Sequence, residues 1–83
     1  MTDAEIYAAL SEMIAREIGS DVGQLAPDTE LVELRGWDSV ALAGVVMAIE
    51  TRFAITLGRD DVDQIDRAVD LMRIIRKHLG EQP

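Results

Sequence analysis

The residues of this sequence best placed to do chemistry are Asp38 and Ser39, which stand behind a long glycine-bearing stretch and ahead of an apolar periodic one. A helix that begins at Ser39 leaves the serine hydroxyl in solvent. The free amides of a first turn and the positive end of the helix dipole favour a negative group there. That suits a phosphate ester on Ser39. Asp and Ser are also ordinary N-cap residues, so the spacing alone leaves a purely structural role open. Asp60, Asp61, Asp63 and Asp66 form an acidic cluster, but a calcium loop starting at Asp61 needs Gly at its sixth position and has Asp66. No metal site is expected, and the cluster reads as a solvated acidic face. His78 reads as a cation at a helix end. A Ser39–His78 hydrolase pair lacks an orienting group and an oxyanion hole at usable spacing.

The elements that must position Ser39 follow from periodicity. Thr2 and Glu5 have the spacing of a capping box, and Ile6, Leu10, Met13, Ile14 and Ile18 fall on one helical face that Gly19 closes. A long connection runs from about Gly19 to Trp37, with Leu25, Leu31, Val32, Leu34 and Trp37 as apolar anchors along the domain. A second helix is predicted over 39–53, burying Leu42, Val45, Val46, Ile49 and Phe53. Val40, Gly44, Met47 and Thr51 point the other way, giving an apolar, small-residue patch on the face away from the core. Ile55 to Leu57 form an extended link, and Arg59 to Gln64 make one short turn of helix. Asp66 is the expected N-cap of a last helix over 67–79 with the stripe Ala68, Leu71, Met72, Ile75 and Leu79. Gly80 ends it and Glu81-Gln82-Pro83 fray. The expected fold is all-α: a small four-helix bundle, three main helices and one short, with a long loop between helices 1 and 2.

Gly36, Asp38-Ser39-Val40, the segment Val46-Met47-Ala48-Ile49-Glu50 with Phe53, and the tail from Ile65 to Ile75 together resemble the acyl carrier protein family, whose signature is Asp-Ser-Leu. The resemblance spans nearly the whole chain in the order helix, long loop, helix, short helix, helix. It implies that Ser39 carries 4′-phosphopantetheine through a phosphodiester and that the arm's thiol holds an acyl or aminoacyl group. It also implies that a phosphopantetheinyl transferase installs the arm, with Asp38 presenting Ser39 and the metal to it. The family does no chemistry of its own. It shelters cargo, loaded by an acyl or aminoacyl ligase, between helices and hands it to downstream synthases and transferases that dock on the second helix. Val40, Gly44 and Met47 suit such docking. Trp37 is either a loop anchor or a wall beside the arm. The family's second helix is often acidic on its exposed face. Here Ala41, Gly44 and Thr51 fill such positions and only Asp38 and Glu50 are acidic, opposed by Arg52. That favours a dedicated partner set in a specialised lipid or secondary-metabolite pathway.

Composition narrows the alternatives. With 83 residues, one domain over 1–83 is expected. Sixteen acidic residues against eight basic ones, a net charge of -8, argue against nucleic acid and anionic membrane surfaces as partners. The absence of cysteine removes thiolate sites and disulfides. The polar, acidic start is unlike a signal peptide, and no apolar run approaches a membrane span. A cytoplasmic monomer is expected. An aminoacyl or peptidyl carrier shares the same motif. A helical adaptor that binds partners through the same apolar face, without modification, is the alternative from another class.

Overall fold

The computed structural model describes residues 1–80. They form α1 (Asp3–Ile18), a single 3₁₀ turn (Leu31–Glu33), α2 (Ser39–Phe53), α3 (Arg59–Asp63) and α4 (Ala68–His78). The expected all-α architecture, three long helices and one short, is the one observed. The predicted fraying of Glu81-Gln82-Pro83 lies outside the described residues.

α1 starts as its sequence dictates. The Thr2 hydroxyl accepts from the Glu5 amide at 3.2 Å and the Glu5 carboxylate accepts from the Thr2 amide at 2.8 Å. Gly19 ends the helix at φ 72°, a left-handed conformation that costs glycine nothing. Ile6, Leu10 and Ile14 are fully buried and Ile18 is half-buried. α1 packs against both α2 and α4, so its apolar stripe is the centre of the core, with Leu31, Val45, Ile49, Leu71 and Ile75 around it.

The long connection is more ordered than its sequence suggested. Leu25 and Leu31 are buried anchors, whereas Val32, expected to pack, is 75% exposed. The 3₁₀ turn sets Leu31 inward and Val32 outward. Backbone bonds zip the loop to the start of α4: Leu31 donates to the Asp66 carbonyl at 3.0 Å, Ala68 to Thr29 at 3.0 Å and Val69 to Pro27 at 2.9 Å. These bonds explain why Asp66 is not the N-cap of α4. The first helical amides are satisfied by loop carbonyls, and the Asp70 carboxylate takes the amides of Arg67 at 2.8 Å and Asp66 at 3.0 Å. Arg67 is therefore the capping position, without a side-chain bond, and α4 ends at His78, with Leu79 beyond it 38% exposed. Ile74, left out of the expected stripe, is buried.

α2 ends at Ala54, which adopts a left-handed φ of 54°. Glu50 holds the link that follows: its carbonyl accepts from Ile55 at 3.2 Å and its carboxylate accepts from Leu57 at 2.9 Å. α3 is fastened by Asp61, which is 5% exposed and so does not belong to a solvated acidic face. One carboxylate oxygen accepts from Lys77 Nζ. The other meets His78 Nε2 at 2.7 Å and the Gly58 amide at 3.2 Å. His78 is thus a staple between α4 and α3 and not a free helix-end cation.

The hydrogen bonds from Lys77 and His78 hold the Asp61 carboxyl down to about 2, against the opposing effect of its burial. The folded value lies below the ordinary 3.8, so the stabilisation is complete above that pH and is lost as the pH falls through about 2. Asp61→Asn should flatten the acid limb of a helicity-against-pH titration in that window. At neutral pH it should lower the urea-unfolding free energy by about 1.5–3 kcal/mol, the usual loss for a hydrogen bond to a charged group.

Candidate functional site

Gly36 determines where Ser39 sits. Gly36 adopts φ +93°, and a Cβ there would lie 3.2 Å from the Ile18 side chain and 3.3 Å from the Ile18 carbonyl. The loop therefore crosses the last turn of α1 at a separation and a backbone angle that only glycine accepts readily. Trp37 follows, half-buried against the core, with its amide bonded to the Leu34 carbonyl at 3.0 Å. The loop-anchor reading of Trp37 matches this placement. Anchored by Gly36 and Trp37, the chain arrives at Asp38 in extended conformation and turns into α2.

Asp38 is the N-cap. Its Oδ1 accepts from the Ala41 amide at 2.8 Å, and its carbonyl accepts from Leu42 at 3.0 Å. Ser39 is the first helical residue and is exposed. Among the described residues its hydroxyl makes no hydrogen bond, and the amides of Ser39 and Val40 have no acceptor. The result is an exposed nucleophilic hydroxyl beside two unsatisfied N–H groups, a site suited to a phosphate diester.

Along its outer face, α2 presents Val40, 75% exposed, and Met47, 66% exposed. Gly44 differs from them: it is half-buried, and a Cβ at this position would meet the Glu17 carboxylate at 2.1 Å. Its missing side chain makes room for Glu17 of α1. Ala41, read from the sequence as an exposed position, is buried at 3% exposure. The α1–α2 seam opens as a shallow groove lined by Arg16, Glu17, Gly44, Met47 and Arg52. The part of Glu17 and Arg16 in this surface was not legible from the sequence, because it arises from contact between helices and not from local spacing. Another cavity, about 610 Å³, lies between α1 and the long loop beside Tyr7 and Leu25, with no lining residue from α2. Among the described residues no cluster of three or more metal-ligating side chains is present, and no helix is long and apolar enough to cross a membrane.

A family model described as the phosphopantetheine attachment site matches residues 8–75. The acyl carrier protein of Solidesulfovibrio magneticus is 32% identical over 72 residues, covering 87% of this chain and 92% of that protein. The acyl carrier protein MbtL of a Mycobacterium species is 30% identical over 78 residues, covering 94% of this chain and 88% of its own. The crystal structure of the acyl carrier protein from Thermotoga maritima superposes with a TM-score of 0.82 at 27% identity, covering 93% of this chain and 89% of that one.

The two neighbours at the start of α2 should separate in a thermal melt. Asp38→Ala removes the cap and should cost about 1 kcal/mol. Ser39→Ala removes a hydroxyl with no protein partner and should leave the melting temperature unchanged.

Proposed function

Because this chain belongs to the phosphopantetheine-attachment family of acyl carrier proteins, we propose that Ser39 is the residue that bears its 4′-phosphopantetheine arm. The chain is a carrier and not an enzyme. The observation that carries the assignment to Ser39 is its position: an exposed hydroxyl at the first residue of α2, beside the unsatisfied amides of Ser39 and Val40. When bound, the arm supplies a thiol that holds an acyl group as a thioester. The protein's own part is to hold the attachment point still. Asp38 fixes the first turn through Oδ1, and its other oxygen is available to the transferase and its metal ion. The two free amides and the helix dipole offset the charge of the phosphodiester. Tethering keeps the cargo at high effective concentration near each docked enzyme.

The exposed side chains of Val40 and Met47 form the partner-facing surface, with Gly44 lowering its centre and Trp37 buttressing the loop beside it. The chain works as one carrier domain, a monomer in the cytoplasm, serving a specialised pathway. Support for the last point comes from α2 itself. Asp38 is engaged as a cap and Glu50 as a brace for Leu57, so the helix offers an apolar face and not an acidic one.

The test is intact mass after incubation of the apo protein with coenzyme A, Mg²⁺ and a broad-specificity phosphopantetheinyl transferase. The wild type should gain one phosphopantetheine, Ser39→Ala none, and Asp38→Ala should load more slowly. A gain on Ser39→Ala, or none on folded wild type with several transferases, would overturn the assignment.

A further inference from the structure

The fold consumes the cations of this chain unevenly. Arg67 meets Glu30 at 3.4 Å, Arg73 meets Asp70 at 3.9 Å, Arg76 meets Asp3 and Lys77 meets Asp61. All four lie on α4 or at its start. The other four basic residues, Arg16, Arg35, Arg52 and Arg59, have neither hydrogen bond nor ion pair among the described residues, although the chain carries 16 carboxylate side chains. Arg16 and Arg52 are both exposed and line the same α1–α2 groove beside Met47. Arg35 stands four residues ahead of Ser39. The acidic side chains that flank the face are otherwise engaged: Asp38 caps Ala41 and Glu50 braces Leu57. Glu17, lying over Gly44, is the carboxylate in the groove. The groove therefore presents two guanidinium groups to one carboxylate on a molecule whose net charge is -8.

We infer that the α1–α2 groove is the polar half of the docking face, and that the protein seated on it presents carboxylates flanking an apolar side chain that rests on Met47. The inference rests on the carrier reading and names the chemistry of the partner. Guanidinium groups bind carboxylates in two-pronged geometry, which fixes the register of a docked surface. Met47 supplies an adaptable apolar contact at the centre. At distances beyond about 8–10 Å, screening and the overall negative charge leave no long-range attraction for an acidic partner. The arginines act at contact and set orientation and choice of partner more than the rate of encounter. A partner with a basic docking patch meets like charges in this groove and is disfavoured.

The double variant Arg16→Glu/Arg52→Glu changes exposed, unpaired side chains, and circular dichroism checks that it folds as the wild type does. Loading on Ser39 by a transferase with a basic docking surface should show KM lowered about two- to fivefold at low salt, with kcat unchanged and the gain fading as salt is added. In parallel, two amphipathic helical peptides with one shared apolar face, one flanked by glutamates and one by lysines, are titrated against the unmodified chain by NMR. The glutamate peptide should shift the amides of Gly44, Met47 and Arg52 in the wild type and leave them unmoved in the double variant. An unchanged or raised KM overturns the inference. So does a lysine peptide that shifts these amides at lower concentration, or the failure of both peptides to shift them. The titration does not depend on loading, so absence of any mass gain on the wild type counts against the carrier reading alone.

Discussion

The close approach of the Gly36 backbone to the last turn of α1 is the constraint on which the presentation of Ser39 depends. Gly36 lays the loop against Ile18, and Gly44 lets the Glu17 side chain lie on α2. The two contacts fall on adjacent residues of one helix and bracket Ser39 from before and after. The first requires glycine, because a Cβ would press on the Ile18 backbone and the chain takes a left-handed angle, whereas at Gly44 the space is taken by the flexible end of an exposed side chain. The apolar stripe of α1 supplies the force that brings the helices together. Gly36 decides how closely the loop meets α1, and so where the serine hydroxyl is held.

Electrostatics divides the molecule into two regions. Around α4 its charges are used internally. Asp61 ties α3 to Lys77 and His78, and Asp70 ties the start of α4 to the preceding backbone. The Asp61 bonds are half-buried and the Asp70 bonds exposed, and both sets shape the fold. Around α2, Val40 and Met47 face outward and, among the described residues, Arg16 and Arg52 have no hydrogen bond or ion pair, which suits this face to the recognition proposed for it. A carrier needs that separation, because its docking face must change partners without disturbing the bundle beneath.

Much of this was legible in the sequence, for local reasons. The capping box of Thr2 and Glu5, the stop at Gly19, the extent of α2 and the exposure of Ser39, Val40 and Met47 depend on spacing within one or two turns. What escaped depends on contacts between distant segments. Asp66 has the composition of an N-cap, but the amides it would have served are taken by Pro27, Thr29 and Asp70. Asp61 belongs to an acidic run that looks solvated, and only the return of α4 brings Lys77 and His78 onto it. Ala41 and Ile74 are buried because neighbouring helices cover more of α2 and α4 than a single stripe implies. Val32 is exposed because a 3₁₀ turn, with its three-residue period, rotates it away from Leu31. The motif at Asp38 and Ser39 was readable as a candidate, and its meaning came from the whole-chain resemblance.

The bonds from Pro27, Thr29 and Leu31 to the start of α4 also bear on the order of events during synthesis. The loop that presents Ser39 is completed by a segment made much later in the chain. A nascent polypeptide that has emerged as far as α2 already contains the serine, but it lacks Asp66, Ala68 and Val69, the partners that hold the loop. α1 likewise waits for Leu71 and Ile75 to cover its buried stripe. Loop and final helix therefore form one cooperative unit that closes only after the α4 segment has been made. If Ser39 bears the arm as proposed, the loop that carries it becomes a defined surface only once α4 has packed, and loading follows folding.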